Sequence, residues 1–320
     1  MERLSALLLA CLPLPVMAQQ ADPAPAPPAT EPPATEPQTP PTTPGPGDDL
    51  AFLDHEDRMT VPVQIAGAGP FAFIIDTGAQ RSVISRQLAG RLGLPAGRRV
   101  RLTAITGTSA VDTVVIPSLS VSTLGARRVE APALEAQDLG ALGILGIDTL
   151  QDHALTIDFD RRRMTVTPAI GHKPPPRESG EIVVRARSLF GQLVVTDASV
   201  AGRRVRVVLD TGTSVSLGNL ALRRLLSRRT AGEPAIFTSV LGDQITTEYA
   251  ALPVMTLGSA TVRALPVAFA DAPPFAAFGL ATKPALLLGM DALRLFRRVH
   301  IDFARRELRL LLPRNLRRAN

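Results

Sequence analysis

The chain is expected to be all-β, two copies of one lobe related by a pseudo-two-fold axis, with a few short helices. Three observations predict this. Short apolar runs rich in β-branched residues, among them MTVPVQI, FAFIID and LTIDF, recur between Gly, Pro and Asp and read as strands. Three signals then occur twice in one order: Asp-Thr-Gly at 76–78 and 210–212, apolar-apolar-Gly-x-Asp in ILGIDTL (144–150) and LLGMDAL (287–293), and an I-D-F strand before a charged turn. Finally, 320 residues suit about two domains, and 45% apolar against 20% charged residues describes a globular chain.

Residues 1–18, MERLSALLLACLPLPVMA, carry one early Arg, a short apolar segment and small residues at cleavage distance, the pattern of an export signal. The apolar segment, interrupted by Pro13 and Pro15, is too short to span a bilayer, so the mature protein is expected to be periplasmic or secreted. Cys11 is the only cysteine and lies inside this segment, which leaves the mature chain without thiol chemistry. Lipidation of Cys11 within LLAC is the competing reading.

Residues 19–50, dominated by Pro and containing an ATEPPATEP duplication, are expected to form a disordered linker. The first lobe is assigned to 51–170. GHKPPPRESG (171–180) is rich in turn formers and reads as an interlobe linker. The second lobe takes 181–314, with strands at EIVVRA, QLVVTDASV, RVRVVLD, YAALPVMTL, LPVAFA and VHIDF, before a basic tail at 315–320. A helix is expected after each Asp-Thr-Gly, at SRQLAGRLG and NLALRRLLSRR.

The net charge of +6 comes almost wholly from Arg, since Lys occurs only at 173 and 283. The arginines are scattered in pairs without interleaved aromatics, and no nucleic-acid motif accompanies them, so no nucleic-acid partner is expected. No phosphate-cradling or dinucleotide Gly loop is present. The four histidines, at 55, 153, 172 and 300, lack metal-ligand spacing. Ser214 and Ser216 lack a G-x-S-x-G elbow. Neither a metal nor another cofactor is expected.

The chemistry lies in the repeated acid. Asp76 follows Phe73, Ile74 and Ile75, and Asp210 follows Val207, Val208 and Leu209, so each carboxyl closes an apolar strand where ionisation is difficult. The Gly after Asp-Thr permits a tight turn that aims backbone N–H groups at the carboxylate. If the copies pack about a two-fold axis, Asp76 and Asp210 face each other and share one proton. The ionised member can then activate a water while its partner protonates a carbonyl oxygen. Asp148 and Asp291 are expected to be N-caps of short helices. Asp158 and Asp302, in the I-D-F strands, are expected to be exposed.

The paired Asp-Thr-Gly triplets with their apolar-apolar-Gly signatures resemble the aspartic peptidases of the pepsin and retropepsin group. The resemblance covers about 58–312 and looks like two retropepsin-sized lobes in one chain, similar to bacterial aspartyl-protease-like proteins. It implies duplicate β-barrel lobes, a peptide cleft between them and a dyad completed within a monomer. It assigns catalysis to Asp76 and Asp210, a mutual hydroxyl-to-backbone grip to Thr77 and Thr211, and the tight turns to Gly78 and Gly212. It also implies hairpin flaps, for which RLTAITGTSAVDTVV, tipped near Gly107, and FTSVLGDQITTEY, tipped near Gly242, are the candidates. The pepsin flap tyrosine has no counterpart in the first copy, and Tyr249 lies well past the second tip. The expected function is an exported, cofactor-independent aspartic endopeptidase acting on apolar side chains around the scissile bond. The rivals are a non-catalytic peptide-binding or envelope scaffold, and a peptidase that processes its own Pro-rich spacer.

Overall fold

The central strand of the first half, Ala68–Ile75, pairs antiparallel with Arg58–Ile65 and parallel with Gly143–Leu145. Both of its faces are covered at the C-terminal end, so Phe73, Ile74 and Ile75 are all fully buried, a continuous apolar run where a one-sided strand would alternate. The second half repeats the arrangement. Arg206–Leu209 pairs antiparallel with Gln192–Val195 and parallel with Ala285–Leu288, and Val207, Val208 and Leu209 are fully buried. This computed structural model describes residues 58–121, 124–171, 173–226 and 232–313, with the backbone alone for Ser5–Leu7, Cys11–Pro13, Asp48–Ala51 and Leu53–His55. The export signal as a unit, the chemistry of Cys11, most of the Pro-rich linker and the basic tail lie outside the described residues.

Each half sends out a long hairpin. In the first, Ala96–Thr103 turns back into Thr108–Val121, which also pairs with Leu124–Leu134. In the second, Glu233–Ser239 turns back into Gln244–Leu257, which also pairs with Ala260–Phe269. Each hairpin occupies the stretch read from sequence as a flap. Tyr249 stands opposite Glu233, at the base of its hairpin and away from the tip.

The two I-D-F strands join the halves. His153–Asp158 runs antiparallel to Arg298–Asp302, pairing Leu155 with Ile301, Thr156 with His300 and Ile157 with Val299. In the repeat, Ile157 corresponds to Ile301 and Leu155 to Val299, so exchanging the halves maps each outer pair onto the other. Thr156 and His300 therefore sit on the pseudo-two-fold axis, and their side chains bond across it at 2.8 Å (Thr156 Oγ1 to His300 Nδ1). Arg163–Pro168 flanks this seam on one side, and Glu307–Leu311 followed by Glu181–Leu189 on the other. The fold is thus all-β, with two homologous lobes.

Asp158 and Asp302 correct an expectation, since both are buried. Each strand ends at the aspartate, and its carboxylate turns back to accept the backbone N–H three residues on, Arg161 at 3.0 Å and Arg305 at 2.8 Å. Those arginines also pair with the same carboxylates through their guanidiniums. An acid that closes its own turn need not face water.

The expected helices after the Asp-Thr-Gly turns are Arg86–Arg91 and Leu220–Arg223. Ser85 and Asn219, at the same place in each copy, cap them by accepting the N–H of Leu88 (3.2 Å) and Leu222 (2.8 Å). Ala136–Leu139 and Pro273–Ala277 are two further helices, too short to show a helical period in sequence. Among the described residues no helix is long and apolar enough to cross a membrane.

His300 makes the seam sensitive to acid. Burial, reinforced by Arg309 and opposed by Asp302 and Glu307, lowers its pKa from 6.5 to about 4. The folded protein therefore holds fewer protons than the unfolded chain between those values. Stability is complete above the unfolded pKa and is lost as pH falls toward about 4, by on the order of 3 kcal/mol. Thermal melts of wild type and His300→Gln across pH 4–7 are expected to show a steeper acid loss in wild type. Parallel profiles would show that His300 does not titrate this way.

Candidate active site

The two Asp-Thr-Gly turns meet on the same axis as the seam. The Thr77 hydroxyl donates to Leu209 O at 2.9 Å and accepts the Thr211 N–H at 3.1 Å. The Thr211 hydroxyl donates to Ile75 O at 2.7 Å and accepts the Thr77 N–H at 3.1 Å. Each threonine thus holds the backbone beside the opposite aspartate, with four buried bonds tying one turn to the other.

Both aspartates are fully buried. Their backbone N–H groups bond to the last residue of the neighbouring short strand, Asp76 to Leu145 O at 2.9 Å and Asp210 to Leu288 O at 3.0 Å. A Cβ on Gly78 would lie 2.7 Å from Asp210 Cγ, and one on Gly212 would press still closer on Asp76 Cγ. Glycine is required here because the opposite carboxyl occupies the space. The environments differ. Asp76 Oδ1 accepts the N–H of Gly78 at 2.7 Å and of Ala79 at 2.9 Å, whereas Asp210 Oδ1 accepts Gly212 at 3.1 Å. Burial, then the adjacent charge of Asp76 and a hydrogen bond with it, push Asp210 well above the usual carboxylate range, outweighing the N–H groups of Gly212 and Thr213. Two acids in contact that cannot easily both ionise share a proton.

Asp148 and Asp291 are clamps, not the N-caps expected from sequence. Gly146 and Gly289 occupy the cap positions. The Asp148 carboxylate accepts the N–H (2.9 Å) and hydroxyl (2.7 Å) of Ser82, and Asp291 accepts the same groups of Ser216 at 3.0 and 2.7 Å. Each serine oxygen in turn accepts the Gly146 or Gly289 N–H at 3.0 Å. The second signature is thereby stapled behind the aspartate turn. Ser82 escaped the sequence reading and Ser216 was weighed only as a nucleophile, although both lie six residues past the repeated Asp. Gln192 was also missed; it is fully buried, and its side-chain NH₂ donates to Gly78 O across the lobes.

The hairpin tips cross between the lobes. Ile105, at the first tip, is buried in a cluster whose other members all lie between residues 189 and 287. Val240, at the second tip, is buried with residues of 74–144, together with its neighbour Leu241. Each tip therefore plugs the opposite lobe, and Thr106 Oγ1 donates to Ser239 Oγ at 2.8 Å where they meet. Gly107 and Gly242 lie in the two turns, and Gly242, with φ +83°, rests against Asp138 of the first lobe, adding to the contacts that Ile105, Thr106 and Val240 make between lobes. Among the described residues no cluster of His, Cys, Asp or Glu is placed to hold a metal ion.

The family described as aspartyl protease matches this chain twice, over residues 61–149 and 196–292. Together these cover more than half of the 320 residues. The chain belongs to the aspartyl protease family. Each family match contains one Asp-Thr-Gly turn and its Gly-x-Asp clamp, so the family model recurs once in each half. Comparison with curated proteins gave no match.

The threonine interlock can be tested without activity. Thr77→Val strands the buried Thr211 N–H and Leu209 carbonyl. It is expected to destabilise the protein by roughly 2–4 kcal/mol in urea unfolding. Thr77→Ser keeps the hydroxyl and is expected to stay within about 1 kcal/mol of wild type. Equal effects of Val and Ser would show that the hydroxyl bonds are not what holds the turns.

Proposed function

We propose that the protein is an exported aspartic endopeptidase in which Asp76 and Asp210 act as one acid–base pair on a water bound between them. The observation that carries this reading is the contact of two buried carboxyls, with Asp210 driven toward its protonated form beside Asp76. Asp76 is assigned as the ionised member, because the Gly78 N–H approaches it at 2.7 Å where the Gly212 N–H approaches Asp210 at 3.1 Å, and Asp210 is the acid driven toward protonation. It takes a proton from the water, whose oxygen attacks the scissile carbonyl carbon. Asp210 donates its proton to the carbonyl oxygen. Proton return from Asp76 to the amide nitrogen then lets the C–N bond break, and the oxygen's proton passes back to Asp210. Thr77, Thr211, Gly78 and Gly212 position the pair. Export rests on the signal-like pattern of residues 1–18. One chain supplies both acids, so no second chain is needed to complete the pair.

With the dyad buried and the hairpin tips crossed between the lobes, substrate enters when the tips part. Withdrawal of Ile105 and Val240 opens an apolar socket in each lobe, which suits apolar side chains on either side of the scissile bond.

Cleavage of an unstructured protein between pH 3 and 8 tests the dyad. The rate is expected to fall on the acid side as both carboxyls protonate. It should fall on the alkaline side as Asp210, raised above its usual range, ionises. Asp76→Asn and Asp210→Asn are each expected to lower kcat by about 10³-fold or more, and a statine-type inhibitor to block wild type. Folded proteins that are all equally inert would favour the non-catalytic scaffold.

A reversible lock tests the hairpins. In Thr106→Cys/Ser239→Cys the new thiols replace hydroxyls now 2.8 Å apart. The oxidised form is expected to lose cleavage and recover it with reductant. Full activity with the disulfide formed would show that substrate does not enter between the tips.

A further inference from the structure

A cavity of about 570 Å³ opens beside the Asp76 turn, walled by Gln80, Arg81, Arg98, Arg127, Arg128 and Phe190. Its walls come from five segments: the turn itself, the first hairpin, the strand Leu124–Leu134, the short helix Ile147–Leu150 through Asp148, and the Leu189–Gln192 corner of the second half. That corner is pinned to the dyad turn by the bond from Gln192 to Gly78 O. Gln80 is four residues past Asp76, so it lies within roughly 14 Å of it along the chain. An extended peptide crossing the dyad would reach the cavity in about four residues.

The cavity carries an excess of positive charge. Arg98 pairs with Glu130 and Arg127 with Asp152, each at 3.2 Å. The Arg127 pair is exposed on both sides, is worth little and exchanges readily with a ligand, whereas Glu130 is partly buried and also accepts from Thr113, so Arg98 stays paired. Arg81 and Arg128 make no ion pair within 4.0 Å among the described residues, although Arg81 lies close enough to Glu130 and Asp148 to stabilise their charges. Asp148, the other acid on the wall, is committed to Ser82. Phe190, 61% exposed, adds an aromatic face whose back rests on Phe278 at 6.5 Å between ring centres. Planar, forked guanidiniums bind carboxylates in bidentate fashion.

We propose that this cavity is a substrate-recognition site that binds an acidic side chain, Asp or Glu, about four residues from the scissile bond. The proposal rests on the peptidase reading for its placement of the substrate. It belongs to this chain's first half alone: the position equivalent to Arg81, five residues past the second Asp, is Val215. Phosphate or an anionic lipid surface would also be drawn to arginine, but neither would explain a site walled by the dyad turn and an aromatic ring.

Two matched peptides test it. They share an apolar scissile core and carry either Glu or Gln four residues away, with each placement tried on both sides. Wild type is expected to cleave one Glu peptide with a KM about fivefold lower than its Gln twin, and to lose that advantage in high salt. In Arg128→Gln, and separately in Arg81→Gln, the Glu-to-Gln ratio is expected to fall toward one. Anisotropy with labelled peptides and the Asp210→Asn protein provides a readout independent of turnover. Preferential binding of the Glu peptide, lost in the arginine variants, sustains the site even if no cleavage is found. Cleavage with equal KM and equal binding of the two peptides would overturn the site while leaving the peptidase reading intact. Binding of anionic vesicles or inorganic phosphate, with no preference between the peptides, would overturn it as well.

Discussion

Everything in the molecule answers to one unfavourable contact, two carboxyl groups placed against each other out of reach of water. An isolated buried carboxylate costs several kcal/mol, and a second one beside it adds repulsion. Sharing a proton removes most of the repulsion but leaves the desolvation. The four threonine bonds, at roughly 1 kcal/mol each, fix geometry more than they supply stability. The compensation comes from burial on either side: the apolar runs that end in Asp76 and Asp210, and the seam of I-D-F strands beneath them. The serine–aspartate clamps then prevent the turns from relaxing outward, so the strain stays at the dyad.

Much of this was legible in the sequence, for a physical reason. A duplicated site reuses residue types at fixed offsets, so an ordered recurrence reveals both the fold and the pair of acids. The same comparison carried a few residues further would have exposed Ser82 with Ser216 and Ser85 with Asn219. Asp158 and Asp302 were misjudged because strand alternation says nothing about a side chain that folds back onto its own turn. Ile105 and Val240 were illegible for a different reason. Their partners lie in the opposite lobe, and nothing local distinguishes an apolar hairpin tip that is buried from one that is not. The arginine-lined cavity is assembled from five separated segments, beyond any local pattern.

Carrying both lobes on one chain has a consequence for direction. A peptide has a head and a tail, but a cleft between two identical halves looks the same from either end and gives a substrate two equivalent ways to lie. Here the halves have diverged. Arg81 has Val215 as its counterpart in the repeat, the Leu189–Gln192 corner leans on one turn, and the glycine N–H approaches Asp76 at 2.7 Å but Asp210 at 3.1 Å. On the peptidase reading the cleft has a left and a right, and a bound peptide would meet different surroundings in its two orientations.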